Sequence, residues 1–461
     1  MKYNKPFILG ITLVSAMGGL LFGYDWVVIG GAKPFYERFF DITSSAHLQG
    51  WAMSSALIGC LFGAMSSGYF TERFGRKKLL IIAATLFTMA AIGTGMANDF
   101  TVFVVYRLVG GLGIGLASAI SPMYIAEISP AGFRGRLVSI NQLTIVLGIL
   151  AAQITNFLIA EKVPDGSTNE YILNSWNGQV GWRWMFWAGG VPALMFFILS
   201  FIIPESPRFL GKSGKWDAAE RILTRIGGKE YAADETKAIS ESLQHAHHQV
   251  EWKQLLAKEI RPVMIIGIFL AVFQQWCGIN VIFNYAEEVF TSAGFSVTDM
   301  LFNVVITGTV NLVFTLLAMR LVDTWGRRKL MLTGASGLAI IYFILGSGYF
   351  FAWKGLVVLF LVMTAIAAYA MTLAPITWVV LSEIFPNRIR GAAMAVATSA
   401  LWIACFILTY TFPILNKMLK ASGTFWLYAI ICVAGFVFIL KKLPETKGKT
   451  LEEIEKMDQQ L

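Results

Sequence analysis

Residues 68–78 read GYFTERFGRKK, and residues 323–329 repeat the kernel as DTWGRRK; each stands between two long apolar runs. The offset from Glu72–Arg76 to Asp323–Arg327 is 251 residues. Two further matches keep the same order. Glu127-Ile-Ser-Pro…Arg134-Gly135 returns as Glu383-Ile-Phe-Pro…Arg390-Gly391 at an offset of 256, and Pro204-Glu-Ser returns as Pro444-Glu-Thr at 240. All three lie at ends of apolar runs, so the chain is a duplication. Working outward, twelve runs approach or exceed the roughly 20 residues that a helix needs to cross a bilayer. They are 7–31, 48–70, 79–97, 100–124, 137–160, 184–203, 262–289, 299–321, 330–351, 354–381, 392–415 and 421–441. The expected fold is an all-α integral membrane protein with twelve transmembrane helices in two pseudo-symmetric six-helix bundles. The bundles would occupy 1–203 and 262–441, with a cytoplasmic helical linker at 204–261 and a tail at 442–461. Duplicated six-span halves mark transporters that rock one half against the other around a central site.

Composition supports a membrane protein: 56% of residues are hydrophobic and only 14% charged, against about 25% charged in soluble domains. The net charge of +9 resembles a nucleic-acid footprint until the charges are placed. With both termini on one side, that side collects 29 of the 37 Lys and Arg, the other collects seven, and Arg107 lies within a span. Lys and Arg favour cytoplasmic loops, so both termini are expected in the cytoplasm and no nucleic-acid partner is expected. The first run is too long for a cleaved signal peptide, contains Asp25 and lacks a small-residue cleavage site. Cys60, Cys277, Cys405 and Cys432 all fall in apolar runs, which argues against a disulfide framework. In the linker, Lys215–Arg225 and Glu235–Gln249 read as short surface helices, and Glu161–Arg183 reads as a polar loop on the opposite side.

Asp25 interrupts an apolar run, and a carboxylate inside a span is costly enough to mark a function. It lies about six residues from the outer end of its run, and Arg107 about seven from the outer end of the fourth. At about 1.5 Å per residue the two reach similar depth and can pair. Burial disfavours an ionised carboxylate and an arginine favours it, so moving the partner switches proton affinity. Arginine keeps its charge, leaving Asp25 to titrate; the alternative is a static pair that fixes packing. Gln274 and Gln275 lie near the middle of the seventh run, followed by Asn280, with Asn311 in the eighth and Gln142 in the fifth. One such amide is ordinarily an interhelical hydrogen bond. Five together suit a hydroxyl-rich, uncharged ligand, because amides donate and accept.

At the run ends, Glu72, Arg73, Arg76, Glu127, Arg134, Asp323, Arg327, Glu383 and Arg390 are read as a cytoplasmic gate of ion pairs; the alternative is that the arginines only enforce topology. Exposed pairs contribute about 0–1 kcal/mol each, so only a network gates. Gly110-Gly-Leu-Gly-Ile-Gly115 imitates a nucleotide loop, yet no strand precedes it, and small residues there permit close helix approach. His245, His247 and His248 are poor metal ligands by spacing, and no Walker A loop is present, so neither a metal nor a cofactor is expected.

Over essentially its full length the chain resembles the sugar porter family of the major facilitator superfamily, closest in style to bacterial proton-coupled xylose symporters. The pieces that carry this are GYFTERFGRKK, YRLVGGLGIGLASAISPMYIAEISPAGFRGRL, PESPRFL, QQWCGIN, DTWGRRK, LSEIFPNRIRG and PETKGKTLEEI. The resemblance implies import of a monosaccharide by alternating access, with pentoses such as xylose or arabinose ahead of hexoses. It implies proton symport through Asp25 and Arg107, and sugar hydroxyls held by Gln142, Gln274, Gln275, Asn280 and Asn311. Trp378, Trp402 and more weakly Phe22 would supply apolar ring faces. A bacterial inner membrane and a functional monomer are the matching expectations. The chain departs from the family pattern at Thr372-Leu-Ala-Pro-Ile-Thr-Trp378, which keeps only Pro375 of a Gly-Pro-rich turn, at Leu401, where Asn or Gln is common, and at Asn284, where tyrosine is frequent. The competing readings are a passive uniporter, an inositol or polyol carrier, and a non-transporting sugar sensor. Sensors tend to carry long signalling tails, and only roughly 20 residues follow Lys441. An enzyme is not expected, since the spans hold no histidine and no metal-ligand cluster.

Overall fold

The computed structural model describes residues 3–164, 166–244, 255, 257–258, 260–386 and 389–445, without the side chains of 244 and 322–324. The Asp323 carboxylate, His245, His247, His248 and the tail beyond Glu445 therefore lie outside the described residues. Among the described residues the regular elements are helical, and eleven stretches are long and apolar enough to span a membrane. The first half comprises α1 (Lys5–Phe39), α2 (Ala46–Phe74), α3 (Arg76–Met96), α4 (Phe100–Ile128) and α5 (Arg134–Ile159), then a short α6 (Asn169–Asn174) and α7 (Trp182–Ser200). Two polar helices follow, α8 (Pro207–Lys212) and α9 (Trp216–Gln244). The second half comprises α10 (Arg261–Trp276), α11 (Ile279–Asn284), α12 (Ala286–Thr291), α13 (Val297–Trp325), α14 (Arg327–Phe350), α15 (Leu356–Met371), α16 (Leu373–Ile384) and α17 (Arg390–Lys442).

Eleven stretches hold twelve crossings. α17 runs for 53 residues, about 80 Å at 1.5 Å per residue, far beyond a bilayer of about 30 Å. Lys420 turns it back with φ 59° and ψ 176°. Backbone breaks also divide the seventh and tenth spans. Gly278 takes φ 88° between α10 and α11, and Thr372 takes φ −126° and ψ −84° between α15 and α16. The tenth span thus bends without the family's glycines. Between the halves, α9 is two helices joined at a non-helical break at Gly228 (φ 88°), in keeping with the two linker segments read from the sequence, of which the part beyond Gln244 lies outside the described residues.

The duplication seen in sequence is repeated in three dimensions. Gly75 and Gly326, at the centres of the matched motifs, both take φ 89°, where residues with a Cβ are strained. A carboxylate sits against each: Glu205 accepts from the backbone N–H of Arg76 (2.9 Å) and Lys77 (3.2 Å), and Glu445 accepts from those of Arg327 (3.0 Å) and Arg328 (3.2 Å). Each helix start, α3 and α14, so obtains an anion at the end of its dipole where N–H groups are unmet. The glycines of α4 also find their use here. Gly111 and Gly115 press on the backbone of α2 at Ala56 and Cys60, while Gly59 and Gly63 of α2 press on Leu108 and Leu112.

Candidate functional site

α1 and α4 carry the buried ion pair. Arg107 Nη1 donates to both oxygens of Asp25, at 2.8 and 2.9 Å, and its Nη2 lies 3.5 Å from the Asp25 carbonyl. Gly110, one turn beyond Arg107, faces the carboxylate: a Cβ there would lie 3.6 Å from Asp25 Oδ2 and 3.0 Å from the Ala90 side chain. Arg107 is 3% exposed and Asp25 16%, so both members of the pair are withdrawn from the surface, the guanidinium more deeply than the carboxylate. Arg107 Nε has no partner among the described residues. It lines a cavity with Trp26, Cys60 and Asn284, whose buried Oδ1 is also unpartnered. Removing one member of such a pair strands the other charge, at a cost of about 3–5 kcal/mol.

One residue on, Trp26 turns to the other half. Its ring centroid lies 6.2 Å from Trp402 of α17 and 6.0 Å from Phe22, and Phe22 lies 6.0 Å from Trp402. Three aromatic rings from both halves thus form one wall. Trp402 is 4% exposed, and its indole N–H meets no acceptor among the described residues, an unmet donor that a ligand oxygen would satisfy. Trp26 was not legible as a site residue, because a tryptophan in an apolar helix is read as packing; its adjacency to Asp25 was the available signal.

The amides assemble on the broken seventh span. Gln274 Nε2 donates to the Ala374 carbonyl at 3.1 Å, at the break in the tenth span. Gln275 Nε2 donates to Gln274 Oε1 at 3.3 Å, and Asn280 Nδ2 to Gln275 Oε1. The resulting chain fixes amide orientations in the second half. Asn311 on α13 is buried and Gln142 on α5 half-buried, and neither has a hydrogen bond to another described residue. Their amides remain available. Trp378, 37% exposed on α16, stands outside the aromatic wall. Leu401 is buried in the core.

The motif residues at the face bearing the termini pair within each half. Arg76 forks onto Glu127 (2.9 and 2.8 Å), lies 3.6 Å from Glu72 and donates to the Thr71 carbonyl. Lys212 also reaches Glu72, and Ser206 donates to Glu127. In the second half Arg327 binds Glu383 (3.0 Å), and Arg390 donates to the Phe385 carbonyl. Arg73 donates to the Tyr69 hydroxyl, and Arg134 is exposed. At the opposite face the contacts join the halves instead: His47 Nδ1 lies 3.2 Å from the Tyr410 hydroxyl, and the Val163 N–H donates to Thr298 Oγ1 at 3.0 Å. The molecule is closed away from its termini.

A duplicated, all-helical bundle of twelve crossings with polar residues at its centre defines a transporter of the major facilitator type, not an enzyme. Residues 11–457 match the family described as Sugar (and other) transporter, and the chain belongs to that family. It is 41% identical to the D-xylose-proton symporter of Escherichia coli K12, covering 98% of this chain and 96% of the relative. It is 38% identical to the arabinose-proton symporter of Bacillus subtilis, covering 99% and 96%. A solved structure of the E. coli xylose transporter XylE, described as its inward open conformation, superposes with a TM-score of 0.85 at 39% identity, covering 98% of this chain and 99% of that one.

Proposed function

We propose that this protein imports a monosaccharide together with a proton across a bacterial inner membrane, with both termini in the cytoplasm. Pentoses such as xylose or arabinose are the favoured substrates, and hexoses follow. The xylose and arabinose symporters among the relatives support the substrate class, and the excess of Lys and Arg on the terminal side supports the orientation. In this reading the described state opens toward the cytoplasm.

The observation that carries the coupling is the adjacency of Asp25 and Trp26. Asp25 is clamped by Arg107 within the first half, while the next residue touches Trp402 of the second half. A proton on Asp25 weakens the clamp, frees α1 to shift, and so moves one wall of the sugar site. Sugar bound between Trp402 and the amides of α10 and α11 would in turn draw the halves together around it. Competition among labelled xylose, arabinose, glucose and galactose for entry into liposomes under an imposed pH gradient tests the assignment. Pentose uptake that hexoses displace only weakly supports it; uptake of none of the four rejects it.

A further inference from the structure

A second charged cluster lies at the closed face, two to three turns past Asp25 on α1. Lys33 Nζ sits 3.1 Å from Glu37 Oε2, 3.2 Å from Glu287 Oε2 and 2.7 Å from Glu288 Oε1. Arg38 Nη1 lies 3.3 Å from Glu287 Oε1, and its Nε donates to Asn169 Oδ1 at 3.0 Å. Lys33 and Glu37 are each 2% exposed. α1 belongs to the first half and α12 to the second, so these bonds tie the halves together. The neighbouring polar groups do not balance the cluster. The Tyr36 hydroxyl donates to Met53 Sδ and the Tyr285 hydroxyl to the Thr409 carbonyl. Arg107, the nearest cation on α4, is committed to Asp25.

The cluster holds two cations and three carboxylates. Glu287 uses both oxygens, one on Lys33 and one on Arg38. Glu37 and Glu288 each offer Lys33 a single oxygen, and their others, Glu37 Oε1 and Glu288 Oε2, are buried without a partner among the described residues. An unbalanced buried charge with unmet lone pairs is costly, and a proton on either oxygen removes it. We infer that the Glu37–Lys33–Glu288 cluster binds one proton while the halves are closed over it and releases it when they part, as a proton site separate from Asp25. The two carboxylates titrate as a unit. Because the closed state holds one more proton than the open one, opening of this face gains up to about tenfold per pH unit as pH rises. The inference rests on the alternating-access reading, since release requires the halves to separate.

The test uses spin labels at Leu48→Cys on α2 and Lys417→Cys on α17, both exposed at this face and on opposite halves. Pulsed resonance distances are read in liposomes over a graded pH series, in an Asp25→Asn background that silences the first site. The long-distance population is expected to grow with pH. Adding Glu37→Gln, or Glu288→Gln as the second variant, leaves two cations against two carboxylates and is expected to flatten the profile. A flat profile without these additions, or a pH response that survives both, overturns the second site. A single distance at every pH, with and without xylose, overturns the site and the alternating-access reading together.

Discussion

At the scale of single residues, the unmet donor on Trp402 and the position of Trp26 give separable expectations. Trp402→Phe keeps a ring in the wall and removes only the N–H. One hydrogen bond contributes about 0.5–1.5 kcal/mol, so sugar affinity should fall by about 2- to 10-fold with little change in which sugar is preferred. Equilibrium binding of a pentose series checks this, and unchanged affinity would mean that the N–H never meets the sugar. Trp26→Ala acts on shape instead. It opens the wall between Phe22 and Trp402, and the ratio of glucose to xylose uptake should rise; a constant ratio would remove Trp26 from the site. Asp25 and Arg107 were readable as a pair because equal depth in two spans is a matter of counting residues. Trp26 was not, since nothing in a linear apolar stretch tells which ring crosses to the other half.

Among the elements, the matched turns before α3 and α14 are the parts most sharply specified. Gly75→Ala places a Cβ at φ 89° and against the Glu205 carboxylate. With ψ at 173° this backbone is one that only glycine adopts readily, so the strain alone is about 1–3 kcal/mol, and displacement of the Glu205 cap adds to it. Thermal unfolding in detergent should shift down for Gly75→Ala and much less for Gly132→Ala, whose added Cβ meets nothing. Equal shifts would deny the turn its special role. The spans themselves were legible because apolar runs of bilayer length have few other uses. Their breaks were less so. The turn at Lys420 falls in the gap between the runs 392–415 and 421–441 and was legible, whereas Gly278 and Thr372 lie inside single apolar runs, where the pattern marks no break. The charged cluster on α1 and α12 was also missed: KPFYERF and YAEEVF read singly as polar span ends, and only the folded chain brings Lys33 to Glu287 and Glu288.

For the whole molecule, closure at one face and pairing within each half at the other imply a machine caught in one of its two states. Locking the closed face should therefore stop transport. A bifunctional maleimide across His47→Cys and Tyr410→Cys, whose native side chains touch, should abolish sugar uptake, while each single variant keeps it. The four native cysteines are buried and should not compete for the reagent. Uptake that persists after complete cross-linking would contradict rocking about this face. The central claim, that sugar and proton move together through the Asp25–Arg107 pair, is tested most directly in sealed liposomes holding a pH-sensitive dye. Xylose or arabinose is added with no gradient imposed, and Asp25→Asn is measured beside the native protein. The account predicts sugar-dependent internal acidification that the variant loses while still exchanging labelled for unlabelled sugar. Sugar entry without acidification, and equal in both proteins, would contradict it.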